Sequence, residues 1–232
     1  METQIPAGCV CSRSAMRLCA GQRPVLIVFD LDGTIADSRE LARLSYKRVF
    51  ALLGYGEITD EQADSFNGPD ADEICRVMGV GPDKRPLYDR LLDESDAELV
   101  HSVGRMYPGV IELLQALAPH AHLAILTNGS AHYLQTNIDV FGLAPYIGLR
   151  AGFTSGVTKA QRIGMWEREL CARRVICVGD RKSDVDNARA AGAIAVGVTY
   201  GMGSRKELSG ADYLCDTPLE VESVCRKLIA LN

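Results

Sequence analysis

The sequence predicts an α/β protein: a doubly wound parallel sheet with an all-helical segment inserted early in the chain. Three observations predict it. From residue 108 onward, apolar strand-like runs alternate with amphipathic helical stretches, and parallel neighbours require such crossover connections, which are right-handed. The run Val25-Leu26-Ile27-Val28-Phe29 is apolar at every position, as a strand covered by helices on both faces must be. Residues 39–107 carry helical periodicity alone.

After the first strand, Asp37 or Ser38 can cap a helix in which Leu41, Leu44, Val49, Leu52 and Leu53 recur at helical spacing until Gly54 stops it. Thr59-Asp60-Glu61-Gln62 has capping-box spacing and opens a short helix ended by Asn67-Gly68-Pro69. A third helix runs from Asp70 to Met78, and Pro86 to Val103 makes one or two more. Alternation resumes at Pro108-Gly109 with an amphipathic helix through Leu117, then the strand His122 to Leu126, which runs into Thr127-Asn128-Gly129-Ser130. A helix extends to Phe141-Gly142, residues 145–153 carry a weak strand signal, and Lys159 opens a helix to Cys171. The strand Val175 to Val178 ends in Gly179-Asp180-Arg181-Lys182-Ser183-Asp184. A helix to Gly192, a strand over Ala193 to Val198, a small edge strand at Tyr213-Leu214 and a closing helix from Thr217 complete the chain. The implied organisation is a tail over 1–22, an α/β core over 23–38 and 108–232, and a helical insert over 39–107.

With 232 residues, 47% of them hydrophobic, and a mean hydropathy of +0.01, the chain reads as a globular protein. Its formal charge of −5 offers no electrostatic footprint for nucleic acid or an anionic membrane. No apolar run reaches the length of a membrane span, and the first 23 residues lack the apolar segment of a signal peptide, so a cytoplasmic protein, monomer or homodimer, is expected. The eight cysteines form no Cys-x-x-Cys pair, which favours thiols over a disulfide framework or a zinc site. Cys9 and Cys11 stand apart, in a tail without clear periodicity.

Chemistry collects where the strands end. In open parallel sheets, ligands bind outside the carboxyl ends of the strands. Here those ends carry Asp30 and Asp32, then Thr127 and Asn128, then Asp180 and Asp184, with Lys159 at a nearby helix start. Asp-x-Asp-Gly alone also begins an ordinary polar turn, but independent turns do not explain why the groups complement one another. Asp30, Asp32 and Asp180 supply hard oxygen ligands suited to Mg²⁺, which takes one or two carboxylates, waters and a substrate phosphate. Thr127 and the backbone N–H groups after it form an anion cradle at a helix N-terminus, and Lys159 adds a point charge for a phosphate oxygen. One carboxylate can act as nucleophile, forming an acyl phosphate, while another two residues on serves as general acid and base.

These residues resemble the haloacid dehalogenase superfamily. The four motifs stand in family order as Asp30-Leu31-Asp32-Gly33-Thr34, Thr127-Asn128-Gly129, Lys159, and Gly179 to Asp184, and the resemblance covers residues 25 to about 200. The helical insert resembles the family's α-helical cap, and Met106-Tyr107-Pro108-Gly109-Val110 is similar to the return into the core in phosphoglycolate-phosphatase-like members. The resemblance implies a Rossmann-like core and a small phosphorylated metabolite as substrate. It makes Asp30 the nucleophile and Asp32 the general acid/base, with Thr127, Asn128 and Lys159 on the phosphoryl group. Mg²⁺ is then held by Asp30, the backbone carbonyl of Asp32, Asp180 and Asp184. Lys159 precedes Ala160 where many relatives have proline, and Lys182 competes with it.

Rival activities resemble the chain less. The name-giving dehalogenases and the phosphonate-cleaving relatives lack the second aspartate, here Asp32, and the insert's lysines, Lys47 and Lys84, read as solvated helix charges. Sugar-phosphate mutases carry a histidine early in the first cap helix, where this chain has Ala42. A non-catalytic phosphate-binding protein on the same scaffold is the alternative of another class. Arg43, Asn67 and Arg76 are the candidates to face the leaving group. His101 and His132 read as surface positions, His120 and His122 as lying at the sheet end opposite the crevice, and Trp166 as packing.

Overall fold

The computed structural model describes residues 24–231; the expected tail over 1–22, with Cys9 and Cys11, lies outside them. A six-stranded, all-parallel sheet has the order β3-β2-β1-β4-β5-β6. The strands are β1 (Val25–Phe29), β2 (His122–Leu126), β3 (Leu149–Ala151), β4 (Arg174–Gly179), β5 (Ile194–Val198) and β6 (Tyr213–Cys215). The weak signal over 145–153 is thus a short strand. It gains its place by pairing Leu149 with Ala124 and Ala151 with Leu126, a tertiary contribution its own sequence does not carry.

The apolar β1 is central, flanked by β2 and β4, and its alternate side chains feed two cores. Val25, Ile27 and Phe29 pack with α5 (Val110–Leu117), α6 (Ala131–Val140) and α9 (Pro218–Ala230). Leu26 and Val28 face α7 (Lys159–Leu170) and α8 (Lys182–Ala190), where Trp166 is a buried packing residue as expected. A strand buried on both faces exposes its polar potential only at its ends, and all the parallel strands end on one edge.

Between β1 and α5 lie α1 (Arg39–Leu52), α2 (Asp60–Ser65), α3 (Ala71–Met78) and α4 (Arg85–Val103). The stretch expected to make one or two helices is one helix of 19 residues, with Pro86 in its first turn, where the missing N–H costs no hydrogen bond. These four helices bury their own apolar cluster, including Val49, Phe50, Phe66, Ile74 and Tyr88. The two chain crossings into them run side by side: Asp37 N–H donates to Arg105 O at 2.9 Å and Tyr107 N–H to Ile35 O at 3.1 Å. Leu41 of α1 and Val100 of α4 belong to the main core instead, so the insert packs on the α/β core as well as joining it through two adjacent strands of chain.

Among the described residues no helix is long and apolar enough to cross a membrane. Cys75, Cys177, Cys215 and Cys225 are buried thiols.

Candidate active site

The site is built on the carboxyl edge of β1, β2 and β4. Asp30 comes directly after β1, and its N–H donates to Val178 O at 2.9 Å, so the ladder with β4 continues up to the carboxylate. Gly33 adopts φ +77, turning the chain back under the site; a Cβ there would lie 2.2 Å from Asp180 Oδ2. Only glycine meets both conditions.

Asp30 and Asp32 leave the strand into different surroundings. Lys159 Nζ lies 2.8 Å from Asp30 Oδ1 and 3.1 Å from Asp184 Oδ1, with the three side chains only 9–12% exposed. Lys159 is delivered by the first turn of α7, whose N-terminus is fixed by a capping box between Thr158 and Gln161. Its competitor Lys182 pairs with Asp186 on the exposed side of α8. Asp32 instead accepts from Thr127 Oγ1 at 3.2 Å and from the Tyr133 hydroxyl at 2.7 Å.

Asp30, Asp180 and Asp184 each bring a carboxylate oxygen to within 4.8 Å of the others. Asp180 is fully buried; its Oδ2 accepts from the N–H groups of Met202 at 2.7 Å and Gly203 at 3.2 Å, while Oδ1 has no hydrogen-bond partner. Burial, aided by Asp184, pushes Asp180 up to about 7. Burial and then Asp184 also raise Asp30 well above the ordinary carboxylate range, against the pull of Lys159. Burial alone would lower Lys159, but Asp184 and Asp30 hold it above its ordinary value, so it stays charged. An acidic trio with one buried oxygen unsatisfied fits a hard divalent cation. Asp30, Asp180 and Asp184 would hold it.

A cavity of about 310 Å³ lies between this edge and the helical insert, and Asp30, Asp32, Thr127, Asn128 and Lys159 all line it. A second, of about 440 Å³, meets Thr127, Asn128 and Lys159 from the α7 side without reaching Asp30 or Asp32. The expected groups are therefore neighbours in one crevice. Of the leaving-group candidates, Asn67 lines the first cavity. Arg43 and Arg76 do not: Arg43 is held by Asp64 at 2.6 Å through both Nε and Nη2, and Arg76 is 73% exposed beside Glu73.

Three contacts went unread in the sequence. Tyr133 stands one turn into α6, where apolar spacing marks it as core; only the fold brings its hydroxyl onto Asp32. Asn128 Nδ2 donates to Gly68 O at 2.9 Å, tying the loop after β2 to the insert. Asp93 on α4 accepts from Ser130 Oγ and pairs with His132 Nδ1 at 2.8 Å. His132, read as helix surface, thus belongs to a contact between insert and core.

A parallel α/β core with an inserted helical segment facing a carboxylate, threonine and lysine cluster defines a hydrolase-type site at the strand ends. Residues 27–198 match the haloacid dehalogenase-like hydrolase family, and the chain belongs to it. It is 27% identical over 216 residues to a phosphoglycolate phosphatase of Vibrio parahaemolyticus, covering 86% of this chain and 95% of that one. It is 26% identical over 189 residues to the tyrosine-protein kinase PtkA of Mycobacterium tuberculosis, covering 79% of this chain and 65% of that one. The crystal structure of a predicted phosphatase from Clostridium acetobutylicum is similar in fold, with a TM-score of 0.77 at 23% identity over 87% of this chain and 98% of that one.

Proposed function

We propose that the chain is a Mg²⁺-dependent phosphatase that hydrolyses a small phosphomonoester through an aspartyl-phosphate on Asp30. One observation supports the reading: two carboxylates two residues apart stand in different surroundings. Asp30 sits against a lysine and the metal-fitting acids, and Asp32 is held by two hydroxyl donors facing the open cavity.

An Asp30 carboxylate oxygen attacks phosphorus, and the bond from phosphorus to the leaving-group oxygen breaks. Asp32 gives its proton to that oxygen. Water then attacks the phosphorus of the acyl phosphate and gives its proton to Asp32, which frees phosphate and restores Asp30. Lys159 binds the non-bridging oxygens together with the loop of Thr127 and Asn128, whose backbone N–H groups stand at a helix N-terminus. Bound Mg²⁺ supplies charge neutralisation at the phosphoryl oxygens. The insert acts as a cap, and excluding bulk water beneath it strengthens every charge interaction in the crevice.

Phosphoglycolate is the first substrate to try, because several of the similar proteins bear that name. A cytoplasmic setting accords with the buried thiols. Ala42 lines the cavity where the mutases carry their histidine, which favours transfer to water over transfer to a second sugar. The test is Mg²⁺-dependent release of phosphate from p-nitrophenyl phosphate. Turnover that vanishes in EDTA and in Asp30→Asn is expected; wild-type rates from a folded Asp30→Asn protein would remove the mechanism.

A further inference from the structure

The cap side of the crevice carries an acid that the proposed chemistry does not use. Asp96, on α4, lines the 310 Å³ cavity together with Asp93 and Asp89 of the same helix. Asp93 is occupied by Ser130 and His132, and Asp89 by Arg85. No Lys, Arg or His among the described residues acts on Asp96; its charged neighbours are Asp32 and Asp93. Burial first, and those two acids with it, push its carboxyl up to about 7 against the pull of the Ser45 hydroxyl. Tyr46 and Tyr133 lie within its field, and the rings of Tyr46 and Phe66, edge-to-face at 5.2 Å, line the same space.

The cations around this cavity are all committed. Arg85 is bound by Asp72 and Asp89, Arg181 by Glu207 at 2.9 Å, and Lys159 by Asp30 and Asp184. The leaving group must lie on this side, because Asp32 reaches this cavity and does not line the second one. A leaving group bearing a carboxylate would meet three acids and no uncommitted cation, and such a buried charge is costly unless paired. A leaving group that donates hydrogen bonds gives Asp96 a partner that no cation of the chain provides. If the donor is an ammonium, aromatic faces beside the acid add further attraction.

We infer that the substrate is a phosphomonoester whose leaving group donates hydrogen bonds, through an ammonium or hydroxyl, to Asp96, and that Asp96 sets specificity against carboxylate-bearing esters. The inference rests on the phosphatase reading above. It is tested by kcat/KM at pH 7.5 with Mg²⁺ for O-phosphoethanolamine, glycerol 3-phosphate, 2-phosphoglycolate and p-nitrophenyl phosphate. At least one of the two donor-bearing esters should exceed phosphoglycolate by about tenfold or more, and which of them leads distinguishes ammonium from hydroxyl. Losing one charge-assisted hydrogen bond in Asp96→Asn should cut that preference by about tenfold. Phosphoglycolate leading in the wild type, or a preference untouched in Asp96→Asn, would overturn the inference while p-nitrophenyl phosphate turnover still upheld the phosphatase. Failure on p-nitrophenyl phosphate would overturn the phosphatase reading itself, and the inference with it.

Discussion

Lys159→Met keeps the length and apolar stem of the side chain and deletes its charge. In the native site that charge lies 2.8 Å from Asp30 and 3.1 Å from Asp184, and oxygens of Asp30, Asp180 and Asp184 gather within 4.8 Å. At that separation and an effective dielectric constant near 20, each pair of ionised carboxylates repels by ~3–4 kcal/mol. Proton uptake caps the total, since Asp180 already sits at about 7, and breaking a buried ion pair of this kind costs ~3–5 kcal/mol. For a chain of this size, 1 kcal/mol shifts Tm by ~2–4 °C, so the variant should melt ~6–20 °C below the wild type at pH 7.5 in EDTA. Mg²⁺ replaces the lost charge, so 10 mM Mg²⁺ should raise Tm more in the variant than in the wild type. Lowering the pH to 5.5 should also shrink the deficit, because protonation relieves the same repulsion. Differential scanning calorimetry in EDTA and in Mg²⁺ gives the four melting temperatures. Equal deficits with and without Mg²⁺ would refute the shared electrostatics of lysine and metal site.

Tyr133→Phe removes one donor from Asp32 without removing the ring from the core; a hydrogen bond to a charged group contributes ~1.5–3 kcal/mol, so kcat should fall ~10–100-fold with little change in KM, and an unchanged kcat in steady-state assays would deny Tyr133 its positioning role. Gly33→Ala and Gly54→Ala impose a similar left-handed strain, at φ +77 and +81, but only the first thrusts a Cβ onto Asp180; the Mg²⁺ concentration for half-maximal activity should rise in Gly33→Ala alone, read from metal titrations of both. For Asp96, a carboxyl raised from its ordinary 3.8 to about 7 is stabilising when protonated below pH 4, and that contribution is lost as pH climbs through 7, by up to ~4 kcal/mol. Asp96→Asn, neutral at every pH, should therefore be close to wild-type stability at pH 4.5 and more stable at pH 8, by urea unfolding at the two pH values; an equal difference at both would contradict the burial assigned to Asp96.

Local chemistry is legible in a sequence, and it accounts for the parts of the site that the sequence reveals. The five apolar residues of β1 declare burial on both faces, and glycines and threonines after strands mark turns and helix starts, so the edge carrying Asp30, Thr127 and Asp180 can be placed without coordinates. Lys159 can be found only by its position ahead of a helix and stands beside Lys182 as a rival; separating them takes the distance to Asp30, set by how α7 and α8 pack under β1 and β4. Tyr133 is hidden because an aromatic at helical spacing signals core packing, and it is indeed buried; its hydroxyl has meaning only against a residue 101 positions away. Arg43 looks like an anion-binding group, but Asp64 on α2 satisfies it. Charge in a sequence does not reveal which charges are already paired.

The loop after β2 ties the helical insert to the site. Three of its residues each hold a different part of the molecule and the fourth braces the loop itself: Thr127 donates to Asp32, Asn128 to Gly68 O of the insert and Ser130 to Asp93 on α4, while Gly129 N–H donates to Thr127 Oγ1 at 3.0 Å. The proposed general acid and two contacts of the cap are therefore fastened to a single tetrapeptide. If the insert moves as the proposed cap, the Asn128 and Ser130 contacts break, one on each side of Gly129. Gly129, whose N–H donates to the Thr127 hydroxyl, then loses the support on either side of it. In the proposed mechanism a closed cap and a correctly held acid are in this way one structural condition, and proton transfer from Asp32 to the leaving group would be favoured only when water has been excluded above it.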